Sequence, residues 1–398
     1  VRIKGLVFFA RICYLPCTVN AAAAPTHDSV VKRAGAAGGW KFAARIIVAI
    51  SLLASGAFAQ TTIPETDPPL RPIQNMFEPL STPALKIHET SIPVLLICAA
   101  IFCVVTTLLV FIVWKFRQRN EEDRHVEPPQ VYGSSHIELA WTVIPIIITV
   151  VLILITARTI GEIQNAKIPD DALRIRVIGH QWWWEVHYLK QNENGEWVTD
   201  FIAANEIHVP VGTREEPKMT HMILESSDVI HSFWVPQLAG KTDLVPNRKN
   251  ELWIEPWATG TYLGNCAEYC GTQHAKMKIR VIVEEQDVYE AWAQNQRTPP
   301  PPPPANVALG HKLFMDYACA NCHTVDGTIA DGVFGPDLTK LMTRRTLGSG
   351  AVDNTPENLF KWVRDPQAAD MKPGCLMPDM KMLDSEVREI VAYLETLK

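Results

Sequence analysis

Two uncharged apolar runs constrain this chain more than any other feature. Ile92 to Trp114 spans 23 residues without a charge and Leu139 to Ala157 spans 19, each long enough to cross a hydrocarbon core of about 30 Å. Because a chain in lipid must satisfy its backbone within the segment, both runs are expected to be transmembrane helices. We assign 91–116 and 136–158 to them, with 117–135 as the connecting loop. That loop region carries Lys115, Arg117, Arg119 and Arg124, so it is expected on the cytoplasmic side, with both flanks facing outward. Pro93 is expected near the start of the first helix, where proline is tolerated, and Pro145 inside the second, where it should bend the helix.

The segment from Trp40 to Gln60 agrees with that topology. Lys41 and Arg45 precede an apolar run, Ile46 to Ala54, and Ala57-Phe58-Ala59 supplies small residues before Gln60. This reads as a cleavable secretory signal at 40–59, the other reading being an uncleaved anchor. Residue 60 is not cysteine, so no lipoprotein anchor is indicated. Residues 1–39 carry Cys13 and Cys17 but no helical or strand period, and are read as a pre-sequence or a misassigned start. Residues 60–90 form an N-terminal segment. The net charge of −6 over 398 residues leaves no basic footprint for nucleic acid, and the length predicts two or three units.

From Ala172 to about Glu290 the pattern changes to short runs separated by Pro, Gly and Asn. Leu173–Ile178, Glu206–Val209, Met219–Glu225, Glu251–Ile254 and Lys278–Glu284 predict an antiparallel sandwich or barrel at 170–292. Within it lies Cys266-Ala-Glu-Tyr-Cys270-Gly-Thr-Gln-His274-Ala-Lys-Met277, with His231 35 residues before Cys266. Thiolates, imidazoles and a thioether together are the donors that copper selects. A mononuclear site needs one Cys, two His and a weak Met, so the second Cys points to two coppers. A Cys266–Cys270 disulfide and a zinc site of two Cys and two His remain the alternatives, although neither needs Met277. His88, His125, His136, His187, His208 and His221 have no partner spacing and are expected at the surface or satisfied in the core.

His231-Ser-Phe-Trp-Val-Pro236 and the Cys266 to Met277 loop, behind a two-helix hairpin, resemble subunit II of haem-copper cytochrome c oxidases. The resemblance covers Ser91 to about Glu290. It implies an all-β cupredoxin-like domain holding a binuclear CuA centre, with His231, Cys266, Cys270, His274 and Met277 as ligands and the Glu268 carbonyl completing the set. It further implies that the Glu268 side chain and Asp243 share a magnesium ion with subunit I, and that Asp228 lies near the subunit interface.

Gly179-His180-Gln181-Trp182-Trp183-Trp184 is a second constellation. Alternate strand residues face opposite sides, so at least one of the three tryptophans is expected to be exposed. The family resemblance implies that Trp182 lies at the surface above the copper and passes electrons from cytochrome c. Trp183 or Trp184 is expected in the core.

Six prolines from Pro299 to Pro304 then change the composition abruptly, predicting an extended linker at 297–305. Beyond it, Cys319-Ala-Asn-Cys322-His323 has the pattern of covalent c-type haem attachment, with His323 as proximal ligand. Candidate distal ligands are Met371, Met377, Met380 and Met382. Pro373-Gly374-Cys375-Leu376-Met377-Pro378 resembles the Pro-Gly-x-x-Met turn of class I cytochromes c, which favours Met377 and an all-α domain at 306–398. Thr355-Pro356-Glu357 reads as a helix start, and Val387, Ile390, Val391, Leu394 and Leu397 form a terminal apolar stripe. No role for Cys375 follows beyond that of a buried thiol.

These parts predict a multidomain chain in a bacterial inner membrane, with both soluble domains on the outer or periplasmic side. The expected function is electron entry into a cytochrome c oxidase, from its own haem c to CuA and on to subunit I, where oxygen is reduced. Expected partners are subunit I, the other oxidase subunits, and cytochrome c or a cytochrome bc complex as donor. The copper subunit of a nitric oxide or nitrous oxide reductase would share the copper loop. A structural relative without copper, as among quinol oxidases, would lack it.

Overall fold

The computed structural model describes residues 70–71, 74–121, 127 and 130–398. The expected signal at 40–59, the segment before it and Arg124 lie outside the described residues. The two apolar runs form helix α1, Thr82–Phe116, and helix α2, Ser135–Gln164. Protein covers none of the apolar stretch of either one. Helices with so exposed an apolar stretch are suited to lipid.

Helix α1 begins ten residues before the apolar run, with Pro83 in its first turn, where a missing N–H costs nothing. Pro93 therefore lies in the helix interior rather than near its start. The added turns are polar and tie the hairpin together: Lys86 pairs with Glu162 at 2.6 Å, and the hydroxyls of Thr90 and Thr159 lie 2.6 Å apart. At the far end of α2, the Ile163 carbonyl accepts from the Trp253 indole N–H at 2.8 Å, which anchors the β domain to the hairpin.

The β domain is a sandwich of two mixed sheets. Its strands are β1 Leu173–His180, β2 Trp183–Gln191, β3 Trp197–Ala204, β4 Glu206–Pro210, β5 Thr220–Ser226, β6 His231–Trp234, β7 Thr242–Leu244, β8 Asn250–Ile254, β9 Gly260–Cys266 and β10 Lys278–Glu284. One sheet runs β3-β2-β1-β5-β8 and the other β4-β10-β9-β6-β7, with Leu70–Arg71 alongside β9. The purely antiparallel expectation fails at three pairings. Strands β1 and β5, strands β4 and β10, and Leu70–Arg71 with β9 are parallel. Apolar runs show a strand's burial but not its direction, which is set by the connections.

Strand β1 illustrates the local logic. Ile175 and Val177 face inward and are fully buried, while Arg174 and Arg176 alternate with them. Each such aliphatic side chain contributes about 1.5–3 kcal/mol by burial. With Trp184, Val186, Leu224 and Tyr262 they form the core between the sheets. Next on the inward face comes Gly179, where a Cβ would stand 2.7 Å from Cδ2 of His231. The strand lacks a side chain where the His231 imidazole needs the space.

Helix α3, Gln286–Arg297, closes the sandwich, burying Tyr289 and Ala293. The proline tract that follows holds no strand or helix before a short turn at Ala305–Val307. The last region packs helices α4 Ala308–Asp316, α5 Pro356–Arg364 and α6 Asp384–Leu394. Thr355 caps α5 by accepting from the Asn358 N–H, with Pro356 in the first turn. The terminal stripe Val387, Ile390, Val391, Leu394 and Leu397 is buried. Gly310 lets α4 approach α6 so closely that a Cβ would meet the Glu389 carbonyl oxygen at 1.9 Å.

Candidate functional site

Strand β6 starts at His231 and strand β9 ends at Cys266, and these strands pair antiparallel. Two ligand-bearing ends are thus fixed by one ladder. The loop from Cys266 to Lys278 then folds back over them, with a helical turn at His274–Lys276 and Gly271 at φ +115°, a conformation suited to glycine.

The loop gathers soft donors around one point. The Cys266 and Cys270 sulfurs lie 3.7 Å apart, both buried and both free thiols. His231 Nδ1 is 3.9 Å from the Cys266 sulfur, and His274 Nδ1 is 3.7 Å from that of Cys270. Met277 Sδ lies 3.8 Å from the Cys270 sulfur and the Glu268 carbonyl oxygen 3.2 Å from that of Cys266. His231, Cys266 and Cys270 are the one such metal-ligating group among the described residues. The chemistry fits copper: two sulfurs at bridging distance, with an imidazole at each side and two weaker donors. A disulfide is not formed, and a zinc site would leave two of the six donors unused.

Electrostatics prepare the pair. The hydrogen bond shared with Cys270 draws the Cys266 thiol well below its usual range despite burial. The shared proton in turn pushes Cys270 up. The pair thus favours one thiolate, the form that binds a metal ion. Behind His231, its Nε2 lies 2.8 Å from Asp228 Oδ1. Burial pulls the imidazole pKa down, but Asp228 and Cys266 outweigh it and raise it. Asp228 also accepts from the backbone N–H groups of Gln181 and Val229, both at 2.6 Å. A carboxylate on the outer nitrogen orients the ring, leaving Nδ1 towards the sulfurs.

The tryptophan run does not behave as alternation suggested. Trp184 is fully buried, Trp183 is half-buried and stacks on His180 at 4.3 Å, and Trp182 is only 7% exposed. None of the three is exposed. The expected surface position of Trp182 is wrong because the C-terminal helical region covers it: the Lys372 ammonium donates to the Trp182 carbonyl at 2.7 Å. The Trp182 indole N–H donates at 3.0 Å to the carbonyl of Cys270, which the Gln181 amide also reaches at 2.7 Å.

A cavity of about 390 Å³ lies on the other side of Trp182. Its walls carry Cys319, Cys322, His323 and Met377 together with Phe314, Leu341, Leu359 and Ile390. His323 Nδ1 is 2.8 Å from the Pro336 carbonyl, the placement that leaves Nε2 towards the cavity, and burial lowers its pKa. Gly335 makes room, since a Cβ there would stand 2.5 Å from His323 Cε1. Apolar walls, two free thiols, a neutral imidazole and a thioether fit a haem. Among the candidate methionines, Met377 and Met380 line the cavity, whereas Met371 and Met382 are buried outside its walls. Met380 is the more exposed of the two.

Asp243 stands apart from the sulfur cluster. It lies in β7 opposite Ser232, and among the described residues no second metal-ligating group forms around it. The remaining histidines of the β domain have bland partners: His187 with Glu185, His208 with Glu284 and His221 with Glu251. Sequence reasoning missed Gln181, Lys372 and Glu206. Glycine at 179 was a readable signal for close packing; nothing in the spacing marked Lys372 or Glu206.

Three family models match the chain in order. Residues 71–158 match the transmembrane domain of cytochrome c oxidase subunit II, 173–286 its periplasmic domain, and 307–398 cytochrome c. Cytochrome c oxidase subunit 2 of Alkalihalophilus pseudofirmus is 32% identical over 90% of this chain and 98% of its own length. The Bacillus subtilis protein of the same name is 27% identical over 82% and 93%. The periplasmic domain of subunit II of cytochrome oxidase from Bradyrhizobium japonicum, a crystal structure, is 30% identical over 33% of this chain and 97% of its own, with a TM-score of 0.28. Two membrane helices, a cupredoxin-like sandwich with a copper donor set, and a haem-type cavity in one chain match that order, and the chain belongs to the cytochrome c oxidase subunit II family, as an oxidase component carrying a cytochrome c domain.

Proposed function

We propose that this subunit admits electrons to the oxidase through a covalently attached haem c and a binuclear CuA centre, and delivers them to subunit I, where oxygen is reduced. The observation that carries the reading is Trp182. Its ring lines the haem-type cavity while its N–H holds the carbonyl of Cys270, so one side chain joins both sites.

When bound, copper and haem would supply reversible one-electron chemistry; the chain's residues would hold and orient them. Cys319 and Cys322 would hold the haem covalently, and His323 and Met377 would supply its iron-binding nitrogen and sulfur. His231, Cys266, the Glu268 carbonyl, Cys270, His274 and Met277 would hold two coppers. Asp228 fixes the His231 ring, and Trp182 with Gln181 fixes the loop at Cys270. Asp243 and the Glu268 side chain would contribute to magnesium at the interface with subunit I. Lys115 in the last turn of α1, with Arg117 and Arg119 after it, supports the reading of a cytoplasmic loop with the soluble domains outside the inner membrane. The electron donor would be cytochrome c or a cytochrome bc complex.

Cys266→Ser in the purified complex tests the copper assignment. It should abolish a mixed-valence near-infrared band while leaving the haem c spectrum and haem staining of the denatured chain intact. An unchanged near-infrared band would overturn it.

A further inference from the structure

The face between the β domain and the cytochrome region holds two buried charged side chains outside both donor sets, Lys372 and Glu206; Lys372 also stands in the wall of the haem-type cavity. Lys372, only 2% exposed, belongs to the cytochrome region and sends its ammonium into the β domain. It donates to the Trp182 carbonyl at 2.7 Å and the Lys276 carbonyl at 2.9 Å, both across the boundary, and to the Gly348 carbonyl at 2.8 Å on its own side. Glu206, 3% exposed at the start of β4, reaches the opposite way. Its carboxylate accepts from the N–H of Arg345 at 2.9 Å and from the N–H and hydroxyl of Thr346 at 3.0 and 2.9 Å.

Lys372 is seated on backbone carbonyls, whereas Glu206 is held by backbone N–H groups, the Thr346 hydroxyl and the nearby Arg344 guanidinium. Desolvation draws Lys372 down to about 7, and three carbonyl oxygens, one for each N–H of an ammonium, compensate that loss of water. Backbone groups of a folded segment are spatially fixed, so a charged head that needs three of them accepts only one docking geometry. A flexible tether would not need such a seat. Further bonds surround it: Lys278 N–H to the Ser349 carbonyl at 3.0 Å, the Ser349 hydroxyl to the Lys278 carbonyl at 2.6 Å, and Lys276 to the Met371 carbonyl at 2.5 Å.

We infer that Lys372 and Glu206 are reciprocal positioning residues, a two-point clamp that fixes the cytochrome region over Trp182 and the copper loop as a standing part of the relay rather than a tethered shuttle. The consequence for electron flow rests on the proposed haem-to-copper path; the clamp itself does not. Lys372 touches both the backbone of Trp182 and the turn that precedes Met277, so its loss alters a contact through which both sites are joined.

The test uses the whole complex with both cofactors loaded. Lys372→Met keeps the length of the side chain and removes the ammonium; Glu206→Leu removes the acceptor from the other side. Amide hydrogen exchange at Arg345, Thr346 and Ser349 and solvent quenching of Trp182 fluorescence read the docking. Photoreduction of the haem, followed by bleaching of the near-infrared copper band, reads the transfer. The clamp predicts at least about tenfold faster exchange and transfer slowed by about tenfold or more, as expected for misplaced partners, with the haem and copper spectra unchanged. Wild-type exchange and wild-type transfer in both variants would overturn it. If Lys372→Met fails to assemble, Glu206→Leu decides alone. If the unmodified complex shows protected amides but no haem-to-copper transfer, the electron path fails and the clamp stands.

Discussion

Replacing Asp228 by Asn should weaken copper binding without removing a copper ligand. Three donors converge on this carboxylate: the Val229 N–H and His231 Nε2 on Oδ1, at 2.6 and 2.8 Å, and the Gln181 N–H on Oδ2 at 2.6 Å. Those donors hold the Asp228 pKa below its usual value although burial opposes them. An asparagine offers one carbonyl oxygen and one NH₂ in the same space, so at least one donor must face another donor. An unsatisfied buried partner costs about 1–3 kcal/mol. The Asp228 side chain is 29% exposed, which lets water relieve part of that cost, so the low end applies: about 1.4 kcal/mol, or about tenfold in affinity. Titrating copper-free protein against a competing chelator, read by the near-infrared band, measures it directly. Haem absorption serves as an internal control, because His323 is oriented separately by Pro336. Affinity within twofold of the parent would refute the idea that Asp228 orients His231 for the metal.

Other sites give independent checks. Gly335→Ala would place a methyl group 2.5 Å from His323 Cε1; overpacking of about 1–3 kcal/mol should shift the haem spectrum and lower thermal stability, and an unshifted spectrum would contradict the cavity assignment. Met377→Leu should lower the haem potential and change its absorption, whereas Met380→Leu at the more exposed position should leave both; a reversed pattern, read by redox titration, would exchange the two residues. Burial raises the Glu185 pKa, but His180 and His187 outweigh it and hold the carboxyl at about 2, below its ordinary 4.5. Its stabilising contribution is thus complete above pH 4.5 and is lost as pH falls towards 2. Stability of the parent against denaturation should fall by about 1–3 kcal/mol across that window, and Glu185→Gln should flatten the slope; equal slopes would refute a stabilising role for Glu185 between His180 and His187.

The sequence carried the sites further than it carried their surroundings. Cys266, Cys270, His274 and Met277 sit on one loop, so their convergence was legible from spacing, and the Cys-x-x-Cys-His run was legible for the same reason. His231 needed the β6–β9 pairing, which no local pattern reveals. Five strands were foreseen from apolar runs, but Trp183–Gln191 and Gly260–Cys266 were not, since glycine, glutamine and charged residues interrupt their alternation. The parallel pairings depend on connections between distant segments. Trp182 shows the same limit most clearly. Strand alternation describes which face a residue occupies, not what later covers that face, and here Lys372, 190 residues further along, does so.

Copper counting on the purified complex, normalised to covalent haem on the same chain, tests the central claim most directly. The donor set around Cys266 and Cys270 predicts two coppers per haem of this subunit, with a mixed-valence near-infrared band, both lost in Cys266→Ser. One copper per chain, or two that survive that substitution, would contradict it.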